Sequence, residues 1–399
     1  MIRLSQSFAC DQSFECDQSF AYKLKEDLPV PHVFPDLLRT VAAFVVVLGV
    51  LVFFHELGHY LAARWRGVYV EVFSVGFGKS IATWYDRHGT QWRISWLPLG
   101  GYVKMHGQER PEEVSDEVRA SWKPGQTFHE KSVLSRAIIV AAGPVANFIL
   151  AMVLFAALFA VVGRPVTSPV VGEVLPEGAA ARAGLLTKDR IEVIAGQPIR
   201  SFEDIQRIIT ARPAETLTVT ISRDGVRKDI AVLTDSREAK GRKVGMLGIR
   251  GGAVDYQPLS LSEAVMGGVE QTWIITVETL RGLGQMISGQ RGTEELGGPL
   301  RIAQLSGQVA ELGMSNLVSF IAILSVNLGL INLFPIPILD GGHLLFYLFE
   351  GLFGRPLPRR AQEYGFRAGI AVLAGLFIFA TWNDLTHIGL FRWVAGLIG

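Results

Sequence analysis

The residues most able to do chemistry are His55-Glu56-Leu57-Gly58-His59. On a helix, side chains four positions apart share a face, so both imidazoles can hold one Zn2+. Glu56 then stands beside the water that the metal activates and can act as its general base. The pentapeptide closes an apolar run, where His and Glu are costly to bury and mark function by default. Two histidines do not complete a catalytic zinc site, which usually has three protein ligands and an open position. Asp340 is the candidate third ligand. It lies in Asn332-Leu-Phe-Pro-Ile-Pro-Ile-Leu-Asp-Gly-Gly342, where Pro335 and Pro337 break a helix and Gly341 and Gly342 admit close backbone approach. Non-helical backbone at membrane depth is tolerated only against protein or a cavity, the setting that a ligand and a substrate both need. The plainer role for Asp340 is to cap the helix that starts near Gly341. His343 is a rival ligand; the carboxylate is preferred.

Positioning these residues falls to four stretches apolar enough to cross a bilayer, which takes roughly 20 helical residues. They run from about 37 to 63, 133 to 162, 316 to 334 and 366 to 381. The composition agrees, with 49% hydrophobic and 19% charged residues against roughly 25% charged in soluble domains, and a mean hydropathy of +0.31. The net charge of +1 gives no sign of a nucleic-acid partner. Lys and Arg crowd the loop after the first span (Arg64, Arg66, Lys79, Arg87, Arg93, Lys104, Lys131, Arg136) and the loop before the fourth (Arg355, Arg359, Arg360, Arg367). Basic residues near span ends favour the cytoplasm, so both loops are expected there and both termini on the far side.

Between about 67 and 110 the chain alternates and is rich in Gly and aromatics, which predicts strands and hairpins; Trp84, Trp92, Trp96 and Tyr102 suit a membrane interface. Residues 166–235 predict a small soluble α+β domain, with an amphipathic helix over Phe202–Ile209 and an alternating strand over Thr216–Ser222. Residues 259–288 predict an amphipathic helical segment before the third span. The expected order is thus a disordered extension (1–34), a first membrane half with the zinc motif and β-loop (35–165), the small domain (166–235), a linker with its helical segment (236–315) and a second membrane half with the third ligand (316–399).

This chain resembles the site-2 protease family of intramembrane zinc proteases, in particular the bacterial regulator-of-sigma-E protease type. The resemblance covers nearly everything from about residue 37 onward. It rests on the His55–His59 motif, Phe73-Ser-Val-Gly-Phe-Gly78, Gly143-Pro-Val-Ala-Asn147, Gly298-Pro299 and Asn332 through Gly342. It implies a polytopic α-helical membrane protein with four transmembrane helices, a membrane-associated β-hairpin loop around 68–104 that guides substrate, and one inserted soluble PDZ-like α+β domain. It implies His55, His59 and Asp340 as ligands of Zn2+, Glu56 as the catalytic base, and substrate-binding positions at Asn327, Asn332, Pro335, Pro337, Gly76 and Gly78. The implied substrates are single-span transmembrane proteins already trimmed by another protease, such as anti-sigma factors, and also signal-peptide remnants. The implied setting is the lipid bilayer of the bacterial inner (cytoplasmic) membrane, with the PDZ-like domain outside the cytoplasm. That domain is similar to PDZ domains through Pro176-Glu-Gly-Ala-Ala-Ala-Arg-Ala-Gly-Leu-Leu186 and Asp189-Arg-Ile191. Such domains bind peptides as an added strand and often capture a C-terminal carboxylate. The best-known family members carry two in tandem, whereas one is legible here, and Lys188 stands where Gly often precedes the Asp.

Three other readings fit less well. A membrane-anchored PDZ adaptor without catalysis has no need of buried His, Glu and Asp. A proton-relay transporter calls for internal repeats between its spans, and none is legible. A soluble zinc protease does not need apolar runs of this length. Cys10 and Cys16 sit in a short polar repeat; they give no disulfide framework and, as a bare pair, little sign of a metal site. His88, His106 and His129 read as solvated loop histidines, Asn383-Asp384 as a helix-end turn, and the acidic run from Glu109 to Glu117 as a solvated linker.

Overall fold

The structure, a computed structural model, describes residues 33–109, 114–239, 242–290, 292 and 297–388. The Cys10/Cys16 repeat, the extension up to residue 32 and positions 110–113 of the acidic run lie outside the described residues. The chain divides into two compact units, one formed by residues 1–157 with 265–399 and the other by 158–264.

The first unit opens with α1 (Val33–Trp65), 33 residues without a proline beyond its first turn and with Arg64 at the end where a helix dipole favours a cation. At 1.5 Å per residue it is about 50 Å long, more than a hydrocarbon core requires. Next come β1 (Val70–Tyr85) and β2 (Gln91–Met105), then the short α2 (Asp116–Ala120) and α3 (Val133–Val161), which carries Pro144 inside it. The β1–β2 pair is folded back on itself. Val72 is opposite both Lys104 and Gln91, and Val75 is opposite both Gly101 and Ile94, so residues 72–75 run between the two halves of β2. The far half of β1 then crosses to the other side of 91–95, with Ala82 opposite Ile94 and Tyr85 opposite Gln91. Gly76 (φ 90°) and Gly78 (φ 87°) make the bend, in a left-handed region that side chains with a Cβ resist. Tyr60 and Ala63 of α1, Val70 and Phe73 of β1, Val103 of β2 and Ile139 of α3 form one buried cluster.

Two loop histidines depart from the solvated reading. His106 is 6% exposed; its Nδ1 lies 2.8 Å from Glu71 Oε1, and its Nε2 accepts from Lys123 N at 2.9 Å. His129 Nδ1 lies 3.0 Å from the Gly107 carbonyl oxygen. His106 thereby joins β1 to the loop that follows the hairpin, and His129 adds a ring contact to a Gly107 carbonyl that its own amide also reaches, roles that sequence spacing does not reveal.

The second unit contains β3 (Arg164–Thr167), β4 (Val171–Val174), α4 (Ala179–Arg182), β5 (Arg190–Ile194), β6 (Gln197–Pro198), α5 (Phe202–Thr210), β7 (Thr216–Arg223), β8 (Val226–Leu233), β9 (Asp235–Ala239), β10 (Arg242–Met246), β11 (Ile249–Gly251) and β12 (Val254–Gln257). A four-stranded antiparallel sheet runs β6-β5-β7-β8, and β4 pairs with β11, β3 with β12 and β9 with β10. The alternation in β7 sends Leu217, Val219 and Ile221 inward, and α5 answers with Phe202, Ile205, Ile208 and Ile209. Asp189, 1% exposed, is held by the Arg223 fork at 2.7 Å on each oxygen. Although burial raises its pKa, that fork and the Leu186 amide hold it below the ordinary value. Strands β9 to β12 run from Asp235 to Gln257, and from position 236 this stretch was expected as linker.

The chain returns to the first unit through α6 (Leu261–Ile287), α7 (Pro299–Glu311), α8 (Met314–Leu333), α9 (Asp340–Phe353) and α10 (Arg359–Ile388). Val47 and Leu51 of α1 pack on Phe320, Ile321 and Leu324 of α8, with Ile302 and Leu305 of α7 against them. Among the described residues, four helices are long and apolar enough to cross a membrane: Asp36–Trp65, Val133–Val161, Met314–Leu333 and Arg359–Thr386. Their outward side chains are apolar; on α10, Ile370, Val372, Leu376, Phe377 and Ile378 are all exposed. A surface like this needs lipid to cover it, and the protein is a multi-pass membrane protein. Asn383-Asp384 is not a helix-end turn. Asp384 lies within α10, 2% exposed, and accepts from Gly298 N at 2.8 Å and Arg301 N at 3.1 Å. Its carboxylate satisfies amide donors that the first turn of α7 leaves without helical partners, next to the positive end of that helix's dipole.

Candidate metal centre

His55 and His59 sit one turn apart on α1, and Asp340 is the first residue of α9. Their donor atoms converge. His55 Nε2 and His59 Nε2 are 3.3 Å apart, and Asp340 Oδ2 lies 3.2 Å from the first and 3.4 Å from the second. Two ligand atoms about 2.0–2.1 Å from one tetrahedral zinc stand roughly 3.3 Å apart, so the three separations are those of a shared ion. The donor set fits too: two imidazole nitrogens and a carboxylate oxygen, with side chains only 12%, 11% and 18% exposed. Asp340 Oδ2 is buried and makes no hydrogen bond, a costly state for a carboxylate unless a cation faces it. The first residue of a helix cannot act as its N-cap; Leu339 occupies that position, so the capping role for Asp340 falls away.

Two glycines let α3 pack directly against the histidine-bearing turn of α1. A Cβ on Gly58 would overlap the carbonyl oxygen of Ala142, and a Cβ on Gly143 would overlap His59 Nε2. Behind the ligands, His59 Nδ1 lies 2.9 Å from the Ile139 carbonyl oxygen, and the Asn147 amide nitrogen lies 3.0 Å from His55 Nδ1. Metal-ligating histidines characteristically donate the second ring N–H to an acceptor such as the Ile139 carbonyl. Asn147 lies within the sequence motif around Gly143, but no spacing rule links it to His55.

The centre opens into a cavity of about 1420 Å3 lined by His55, Glu56, His59, Asp340, Asn332, His343 and the β2 residues Gly101 to Val103. Glu56 faces that strand, since a Cβ on Gly101 would lie 3.1 Å from Glu56 Cγ. Residues 101–104 pair with β1 on one side only. At another part of the wall, Arg136 of α3 reaches Glu350 of α9 at 2.7 Å. His343 lines the cavity but lies outside the three-donor cluster, which is the one group of this kind among the described residues.

The other expected positions are spread more widely. Asn332 reaches the cavity, while Asn327 Oδ1 accepts from Thr279 Oγ1 of α6 at 3.0 Å. Pro337 sits against α10; Cβ atoms placed on Gly365 and Gly369 would come within 3.5 Å and 3.4 Å of its ring. Pro335 belongs to the non-helical stretch between α8 and α9, and Gly76 and Gly78 bend the hairpin. None of these five lines the cavity.

Four membrane-crossing helices around a buried His-His-Asp cluster define a polytopic membrane zinc metallopeptidase. The comparisons with known proteins agree. The chain belongs to peptidase family M50, whose model matches residues 43–376, and the site-2 protease resemblance stands. A Rhizobium meliloti (strain 1021) protein bearing a zinc metalloprotease name is 44% identical over 366 residues, 88% of this chain and 98% of its own length. Metalloprotease MmpA of Caulobacter vibrioides is 37% identical across 90% of this chain and 98% of its own. Zinc metalloprotease RasP of Geobacillus kaustophilus is 32% identical across 88% and 98%. This protein is a zinc metalloendopeptidase.

Proposed function

We propose that the chain cuts single-span transmembrane proteins within or beside the bilayer of the bacterial inner membrane, after a first protease has trimmed them. Anti-sigma factors are the favoured substrates, and signal-peptide remnants are a second source of the same chemistry. The convergence of His55, His59 and Asp340 inside a membrane helix bundle carries this reading. A water-soluble peptide would have no reason to meet a centre placed there.

In this reading His55, His59 and Asp340 hold the ion. When bound, zinc supplies Lewis acidity to the attacking water and to the scissile carbonyl. Glu56 takes a proton from that water as its oxygen attacks the carbonyl carbon, and returns it to the amine as the C–N bond breaks. A substrate helix hides its carbonyls in internal hydrogen bonds, so it must unwind before it can react. The open side of residues 101–104, beside Glu56, offers backbone groups to which an unwound segment can add as a strand. Asn332, in the same cavity, then contacts the extended segment, and Asn327, Pro335, Pro337, Gly76 and Gly78 support its path. The basic loops put the hairpin and the α9–α10 connection in the cytoplasm, and the PDZ-like residues 166–235 on the other side, where they contact peptide C-termini.

The test is cleavage of a tagged single-span substrate by the purified full chain in detergent or vesicles, with the cut mapped by mass spectrometry. A cut within the apolar segment, lost in His59→Ala together with bound zinc, supports the proposal. A cut confined to the soluble flanks, or no cut with zinc bound, rejects it.

A further inference from the structure

One buried group behind the metal cluster has no partner: the side-chain oxygen of Asn147. Asn147 is 0% exposed, in the part of α3 that faces α1 and α8. Its backbone carbonyl accepts from Ser325 Oγ of α8 at 2.8 Å, which fixes this stretch of α3 in place. Its amide nitrogen stands 3.0 Å from His55 Nδ1. The other nitrogen of that ring, Nε2, is the one in the three-donor cluster. A neutral imidazole carries one proton. If Nε2 gives its lone pair to a cation, the proton must sit on Nδ1, and the group facing Nδ1 must accept. An amide nitrogen cannot accept, but the amide oxygen can. Oxygen and nitrogen of an amide occupy interchangeable positions, and the hydrogen-bond network decides between them. Turning the Asn147 amide over places its unpartnered oxygen against Nδ1–H.

From this we infer that Asn147 is a positioning residue that holds His55 in the Nδ1–H tautomer, with Nε2 aimed at the metal. Its oxygen does for His55 what the Ile139 carbonyl, 2.9 Å from His59 Nδ1, does for His59. The two partners differ in one respect. The Ile139 carbonyl belongs to the backbone and survives any side-chain change, whereas the support of His55 rests on one side chain. The inference rests on the reading of His55 as a metal ligand.

The experiment is zinc affinity of the detergent-solubilised full chain, by competition with a chromogenic chelator, with no substrate present. Asn147→Leu keeps the size and removes the acceptor; its zinc affinity falls by about 10–100-fold, the usual effect of losing such an outer partner. Asn147→Asp restores an acceptor oxygen and stays within about tenfold of the native chain. Should Asn147→Leu fail to fold, Asn147→Ala, which leaves space instead of bulk, reads the same loss. Native affinity in the Leu or Ala variant overturns the inference, as does an Asp variant that binds as weakly as they do. His55→Ala separates the two levels: it must abolish binding, and if it does not, the ligand assignment itself falls and the role of Asn147 with it.

Discussion

Gly58 of α1 lies against the carbonyl oxygen of Ala142 on α3, so close that a single methyl group at 58 would overlap it. The neighbouring Gly143 has the same relation to the His59 ring, and a Cβ there would also come within 2.9 Å of His55 Cε1. The zinc motif is thus set by two helices in backbone contact as well as by its own spacing. Gly143→Ala is expected to push the two imidazoles out of register. Overpacking of this kind costs about 1–3 kcal/mol, and since tenfold in affinity is about 1.4 kcal/mol, zinc affinity should fall by roughly an order of magnitude. Chelator competition on the folded variant checks it; unchanged affinity would mean that α3 yields easily.

The ion pair Arg136–Glu350, 2.7 Å long with both side chains 17% exposed, ties α3 to α9 at the cavity wall. Removing one partner leaves the other charge without its counter-ion in a poorly hydrated place. Glu350→Gln and Arg136→Met should each lower the thermal unfolding midpoint, and the double variant should lose less than the two single losses added together. Additive losses would show that the pair contributes nothing as a pair.

Asp86, in the turn between β1 and β2, is a pH probe of the hairpin. Burial raises its pKa, but hydrogen bonds from Tyr60 Oη, Trp92 Nε1 and the amides of His88 and Thr90 outweigh this and bring it to about 2, from 3.8. A folded-state pKa below the unfolded one means that the contribution is complete above about pH 4 and is lost as pH falls towards 2. Between pH 5 and 2, Trp fluorescence of the native hairpin should therefore change more than that of Asp86→Asn, which lacks the titrating group. Parallel curves would contradict this.

The members of the His55–His59–Asp340 cluster were legible in the sequence because metal chemistry narrows residue type and, for the two histidines, local spacing. Two histidines at i and i+4 must share a helix face wherever the helix goes, whereas an acid after Pro335 and Pro337 reads as a ligand or a helix cap until the structure places Leu339 at the cap. The four spans were legible because length and apolarity suffice for a bilayer. What escaped depends on contacts between elements distant in sequence. His106 meets Glu71 and Lys123 only because the hairpin folds back beside the loop that follows. Asp384 meets the start of α7 across 86 positions of chain. The short strands β9 to β12 carry little alternation and are defined by their pairing partners.

The Asp384 contact makes its own prediction. Asp384→Ala strands the Gly298 and Arg301 amides at the α7 N-terminus, and losing a helix cap costs about 1 kcal/mol. The variant should unfold at lower temperature than the native chain, and Asp384→Asn, which keeps one acceptor oxygen, should fall between them. An Ala variant as stable as the native chain would assign the capping to water.

The central claim is that Glu56 moves the proton in a cut made at the His55–His59–Asp340 centre. The direct measurement compares the native chain with Glu56→Gln, following cleavage of a tagged single-span substrate and bound zinc in the same preparations. The Gln side chain keeps the size but cannot take the proton, so zinc should stay bound while cleavage falls by about 10²–10⁴-fold, the usual worth of a general base. Cleavage at the native rate with zinc in place would contradict the account.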